Sequence, residues 1–199
     1  MVYRALSPLI PYFHTEMNVS TIGYAESSDP IHFKDRRQLF LPEYDWEKYG
    51  CEDPRITKIG DSYYIFYTAL GGFPFGPDNI KVGLAVTRDF KNIEEKHLIT
   101  PFNAKGACIL PDKVNGKYAV IVTANTDRPP LPSTIGIAYF DNLEDIWNTG
   151  IWNKWYSELE SHKIDLLRDS SHQVEVGAVP VKTKYGWLLI HSYTKRLIH

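Results

Sequence analysis

The side chains best placed to do chemistry lie in Cys51-Glu52-Asp53-Pro54-Arg55-Ile56, two carboxylates, a proline and an arginine directly ahead of a strand pattern. Pro54 has a fixed φ and no N–H, and a residue before proline is biased toward extended backbone, so Asp53 is expected to be extended and rigid. An acid held at a strand entrance, with a guanidinium two positions on, can present a proton to a leaving oxygen. The plainer reading of an isolated Asp-Pro is a turn carrying a surface Arg–Asp pair; the repeats around this one favour a site. No His-Glu-x-x-His, Gly-x-Ser-x-Gly or phosphate-cradling Gly-rich motif occurs, which weakens metal, serine-nucleophile and nucleotide readings. Cys51 and Cys108 have no metal-ligand spacing and are too few for a disulfide framework. No metal or cofactor is expected.

The 199 residues suit one domain, spanning 1–199. A net charge of −2 without charge runs argues against nucleic-acid or membrane partners. The first residues lack a basic segment followed by an apolar core, and no apolar run reaches spanning length, so a reduced, cytoplasmic protein is expected. Aromatic residues make up 14% of the chain; such faces can stack on sugar rings, but most of these are expected to be β core.

Strand signals dominate and recur. Ile56 to Ala69 reads as two strands around Gly60-Asp61, Ile109 to Thr123 as a second pair around Asn115-Gly116, and Ala178 to Tyr193 as a third around Lys184-Tyr185-Gly186. Helical periodicity is almost absent, and Tyr156 to Leu167 reads as an irregular connection. A Gly-x-Ala strand also repeats, with Gly23, Gly83 and Gly136 spaced 60 and 53 residues apart. Its missing side chain is expected to let another backbone pass closely. Repeats of this period, each with about four short strands, point to an all-β propeller. The chain supplies about three blades' worth where closure needs about four or more, so a fragment is expected.

These residues resemble glycoside hydrolase family 130. The matching pieces are Tyr3-Arg4-Ala5, Gly23-Tyr24-Ala25, Gly50 to Arg55, Ile109 to Tyr118, Val174-Glu175-Val176-Gly177-Ala178 and Lys182 to Ile190. The resemblance implies a five-bladed β-propeller that cleaves β-mannosides by phosphorolysis or hydrolysis, here incomplete, with oligosaccharide as the partner molecule. It makes Asp53 the general acid, acting through the 3-hydroxyl of the mannose being cleaved, with inversion. It gives Arg4 a sugar contact, against an equally weighted structural salt bridge. Arg55 is expected to steady Asp53 or Glu52 by a bidentate pair, and Glu52 to point away.

The same resemblance places Lys105 where relatives bind phosphate. Thr123 and Ser192 stand where phosphorylases carry an arginine and a histidine, so hydrolysis is the leading expectation. Its water would be activated by Glu175, about 6.5–9.5 Å from the acid. His172 is expected to line the same mouth. Phe73, Phe75 and Trp46 form either a stacking platform or a self-packed loop, and Asn125-Thr126-Asp127-Arg128 is a loop that shapes substrate choice. The alternatives are a phosphorylase using Lys105 with inorganic phosphate as co-substrate, and a non-catalytic sugar-binding remnant. The 199 residues alone are expected to be weakly active or inactive, and a homo-oligomer or a complementing chain is a further possibility.

Overall fold

Runs rich in Val, Ile, Tyr, Phe and Thr suit a pleated, half-buried backbone. They form the strands of the computed structural model, which describes residues 1–6, 18–128, 130–167 and 172–195. Residues 7–17, 129, 168–171 and 196–199 lie outside these. Strands β1 (Val2–Leu6), β2 (Ser20–Glu26), β3 (Lys34–Phe40), β4 (Gly50–Ile59), β5 (Ser62–Leu70), β6 (Ile80–Thr87) and β7 (Glu95–Leu98) make one sheet. Its order is β1-β2-β4-β5-β6-β7, with β3 also on β2. A second sheet orders β10 (Thr134–Phe140), β9 (Tyr118–Ala124) and β8 (Ala104–Ile109). Strand β11 (His172–Val176) pairs with β14 (His191–Lys195), and β12 (Val181–Thr183) with β13 (Gly186–Leu188).

Turn residues sit where the backbone needs them. Gly60-Asp61 joins β4 to β5, and Asn115-Gly116, with φ of 50° and 81°, closes the connection from β8 to β9. The main core lies between the two larger sheets, where Phe66, Val82 and Leu84 meet Ile109, Val120 and Val122. Val174 and Val176 of β11 pack on Cys108, Ile121 and Ile135 across the far face of the second sheet.

The expected all-β five-bladed propeller is corrected. Among the described residues the strands fall into separate sheets that no pairing closes into a ring, and two helices join them. Helix α2 (Leu159–His162) stands in the stretch read as an irregular connection, and helix α1 (Thr149–Ser157) runs into it from before, making the fold mixed α/β. Asn148 caps α1 by accepting from the Gly150 and Ile151 N–H groups, and Trp152 and Trp155 of α1 and Leu159 of α2 are buried in the main core. The segment escaped notice because α1 is short and carries Gly150, Trp and Tyr rather than strong helix formers.

The repeated glycines also work differently from expectation. Gly23 lies opposite Tyr3 and Gly83 opposite Tyr67, and a Cβ on either would come within 2.5 Å of the tyrosine ring. A ring, not a backbone, fills the space. Tyr67 is held in place because its hydroxyl donates to Glu47, a wholly buried carboxylate that also pairs with Lys96. No helix among the described residues is long and apolar enough to cross a membrane.

Candidate active site

Two bulges build the site. Along β4 the pairing passes from Glu52↔Thr68 to Arg55↔Phe66, so Asp53 and Pro54 together face Tyr67. Along β8 it passes from Lys105↔Thr123 to Cys108↔Ile121, so Gly106 and Ala107 together face Val122. The first bulged residue is left-handed in both strands, with φ of 48° at Asp53 and 59° at Gly106. The expected extended Asp53 is thus corrected: the bulge demands the left-handed region, which an aspartate tolerates better than most side chains. Pro54, lacking an N–H, sits where the ladder is already interrupted.

Between the bulges opens a cleft of about 300 Å³. Arg4, Glu52, Asp53, Lys105 and Asp127 line its polar side, and Leu70, Phe75 and Ile80 its apolar side. Glu52 does not point away. The left-handed turn at Asp53 breaks the strand alternation, so consecutive carboxylates line one cleft. Glu52 Oε1 lies 2.6 Å from Arg4 Nη2 and accepts from the Ser20 hydroxyl at 2.8 Å, while Arg4 Nε donates to Ser20 at 2.9 Å. Asp53 is exposed.

Arg55 makes no bidentate carboxylate pair. Its Nη1 donates to the Asp53 carbonyl at 2.9 Å, and its Nη2 donates to the Val176 carbonyl and lies 3.8 Å from Glu175 Oε1. The guanidinium therefore ties the β4 bulge to β11. Glu175 faces opposite to the buried Val174 and Val176 and puts its Oε2 3.2 Å from Lys105 Nζ. Gly106 makes room for it, since a Cβ there would stand 2.9 Å from Glu175 Cγ. With a cation at each oxygen, Glu175 fixes Lys105 in place and is not among the residues lining the cleft.

Lys105 also reaches Asp127 Oδ2 at 3.3 Å. Burial pushes the Lys105 ammonium down, but the Glu175 and then the Asp127 carboxylates outweigh it, and its pKa is raised. Asp127 was missed as a site residue; the loop had been noted, but its contact with Lys105 spans 22 positions and carries no local signal. His172, expected to line the same mouth, lies outside the cleft lining, and so do Thr123 and Ser192, the two positions read as lacking a phosphate ligand. His172 stacks on Tyr193 with ring centroids 4.4 Å apart. Thr123 is wholly buried and accepts the Val176 N–H at 3.0 Å, and Ser192 donates to the Glu175 carbonyl at 3.4 Å. Of the aromatics, Phe75 lines the cleft with Phe73 set edge-on 5.4 Å away, whereas Trp46 stacks on Tyr44 and Tyr67. Among the described residues no cluster of three or more His, Cys, Asp or Glu can hold a metal.

An exposed acid and an anchored lysine thus line one cleft, with Phe75 in its apolar wall. Residues 9–198 match the family model described as beta-1,4-mannooligosaccharide phosphorylase, and the chain belongs to glycoside hydrolase family 130. It is 31% identical over 192 residues to the 1,2-beta-oligomannan phosphorylase of Thermoanaerobacter sp. (strain X514), covering 96% of this chain and 58% of that protein. The solved beta-1,2-mannobiose phosphorylase of Listeria innocua, in complex with beta-1,2-mannobiose, matches with a TM-score of 0.67 at 29% identity. That match covers 87% of this chain and 45% of that one. A glycosyl hydrolase from Bacteroides ovatus matches with a TM-score of 0.64, covering 94% of this chain and 55% of that one, but at 21% identity it shares the fold alone. The chain spans about half the length of the curated relatives it matches.

These relatives overturn the expectation of hydrolysis, because the curated proteins matched are phosphorylases. The expectation had rested on uncharged side chains at positions 123 and 192. Thr123 lies inside the sheet packing, tying β11 to β9, so its lack of charge says nothing about the cleft.

Proposed function

We propose that the chain carries the cleaving centre of a β-mannoside phosphorylase, with a β-1,2-linked mannooligosaccharide as its first-choice substrate. The observation that carries this reading is that Asp53 and Lys105 line one cleft, each presented by its own bulge. Asp53 is the proton donor to the glycosidic oxygen. Lys105 holds inorganic phosphate, whose oxygen bonds to the anomeric carbon as the glycosidic bond breaks from the opposite face. The proton leaves with the departing sugar and Asp53 regains one from solvent. The products are mannose 1-phosphate and the shortened oligosaccharide. Arg4, oriented by Glu52 and Ser20, contacts a hydroxyl of the bound mannose, and Phe75 offers a face to the departing sugar. Glu175 and Arg55 position Lys105 and the β4 bulge. The linkage follows the names of the curated relatives, all of which act on 1,2-linked β-mannosides.

The test is β-1,2-mannobiose incubated with and without phosphate. Mannose and mannose 1-phosphate are expected together, and only when phosphate is present. Sugar release at the same rate without phosphate would overturn the assignment.

A further inference from the structure

The acids of the cleft outnumber its cations. Glu52, Asp53 and Asp127 face Arg4 and Lys105, and the Arg4 charge is already spent on Glu52 at 2.6 Å. A phosphate dianion entering this space finds its attraction at Lys105, whose ammonium stands between two carboxylates of different kinds. Glu175, with 23% of its side chain exposed, is wedged over Gly106 and braced by Arg55. Asp127 approaches Lys105 from the rim, with 63% of its side chain exposed and a backbone φ of 55°. Its loop is anchored below, where the Tyr156 hydroxyl donates to Asn125 Oδ1 at 2.6 Å and Thr126 bonds Asn103 at 3.3 Å. The Asp127 carboxylate is thus aimed at Lys105 by a fixed turn, yet its bond is of the exposed, individually weak kind. Phosphate, with more acceptor oxygens and more charge, can replace it there.

We propose that Asp127 sets the phosphate affinity of the site as a resident carboxylate on the outer side of Lys105, which inorganic phosphate must displace. This rests on the phosphorylase reading and deepens it. Asp127 sets how much phosphate the site needs, while Glu175 keeps Lys105 in place after the exchange. Water, which is uncharged, gains nothing by the same exchange.

The experiment compares the parent chain with Asp127→Asn, measuring inorganic phosphate binding by calorimetry and KM for phosphate and for β-1,2-mannobiose separately. Asp127→Asn is expected to bind phosphate about two- to fivefold more tightly, with KM for phosphate falling equally and KM for the mannoside unchanged. Asp78→Asn removes a neighbouring rim ion pair, the 3.1 Å contact to Arg128, without touching Lys105. It controls for loosening of the turn and should leave both constants where they are. Phosphate affinity unchanged or weakened in Asp127→Asn, with the parent binding phosphate, overturns this proposal and leaves the phosphorylase reading standing. A parent chain that binds no phosphate overturns both.

Discussion

At the bulge in β4 the left-handed residue is Asp53, whose carboxylate lines the cleft; at the matching place in β8 it is Gly106, whose missing side chain leaves room for Glu175. The residues one step earlier, Glu52 and Lys105, both face the cleft with opposite charge. One backbone plan therefore serves two ends. In β4 a side chain stands at the left-handed position and its carboxylate lines the cleft. In β8 the side chain is dispensed with, and a glutamate from β11 enters to brace a lysine. On the proposed function, the chemistry is divided between the bulges, the proton at one and the anion site at the other.

The largest expected effect comes from breaking that division. Asp53→Asn keeps the shape of the bulge and removes the proton, so kcat for phosphorolysis should fall by about 10²–10⁴. Phosphate affinity, assigned to the other bulge, should not move. Steady-state kinetics with calorimetric phosphate titration reads both; a parallel loss of phosphate affinity would show that the bulges are not separate.

Exchanging the two bulges' solutions comes next. Gly106→Ala places a Cβ at a φ of 59° and within 2.9 Å of Glu175 Cγ, and should destabilise the chain by about 1–3 kcal/mol. Asp53→Gly relieves the left-handed strain but frees the unfolded chain, for a net gain of about 0.5–1 kcal/mol with activity lost. Opposite signs in urea unfolding support the comparison. Equal signs refute it.

How much of this could be read from the chain depended on how local each cause was. Asn115-Gly116 announced its turn because two adjacent residues suffice to define it. Asp53 drew notice because an acid before a proline is unusual, yet its left-handed backbone was illegible, since the bulge exists only relative to β5. Glu175 could be seen to alternate with Val174 and Val176, but its cations come from positions 55 and 105, far along the chain. The repeats suggested closure into a ring, whereas which sheet a strand joins is set by long-range packing, and α1 hid behind weak propensities. Uncharged residues at 123 and 192 misled because neither side chain lines the cleft.

A smaller effect tests the brace. Glu175→Gln leaves Arg55 and Lys105 less well held and should cost about 1–2 kcal/mol, with weaker phosphate binding. The pH dependence follows from the raised Lys105 pKa. A lysine raised on folding contributes stability that is complete below its ordinary value of about 10.4 and is lost as pH rises through the folded value. The gap between parent and Glu175→Gln should thus be level from neutral pH upward and shrink only in strong alkali. A gap that closes near neutrality would mean that Glu175 acts on some other group.

The smallest effect is kinetic and uses the thiols beside the bulges. Cys51 stands one residue before Glu52 and Cys108 two after Gly106, and both are wholly buried. Burial pushes Cys108 up to about 12, with Arg55 pulling slightly the other way, and pushes Cys51 higher still, helped by the Glu47 carboxylate. Neither presents a thiolate at neutral pH, so a disulfide reagent should react only as fast as each region opens. Cys108 is covered by Val174 and Val176 from a two-stranded sheet, whereas Cys51 lies in the seven-stranded sheet beside the buried Glu47–Lys96 pair. The smaller sheet has less to lose on opening, so Cys108 should be labelled faster in Cys51→Ala than Cys51 is in Cys108→Ala. The reverse order would mean that the strained bulge of β4, not the braced one of β8, is the looser part of the site, and that the strain at Asp53 is relieved by motion rather than held.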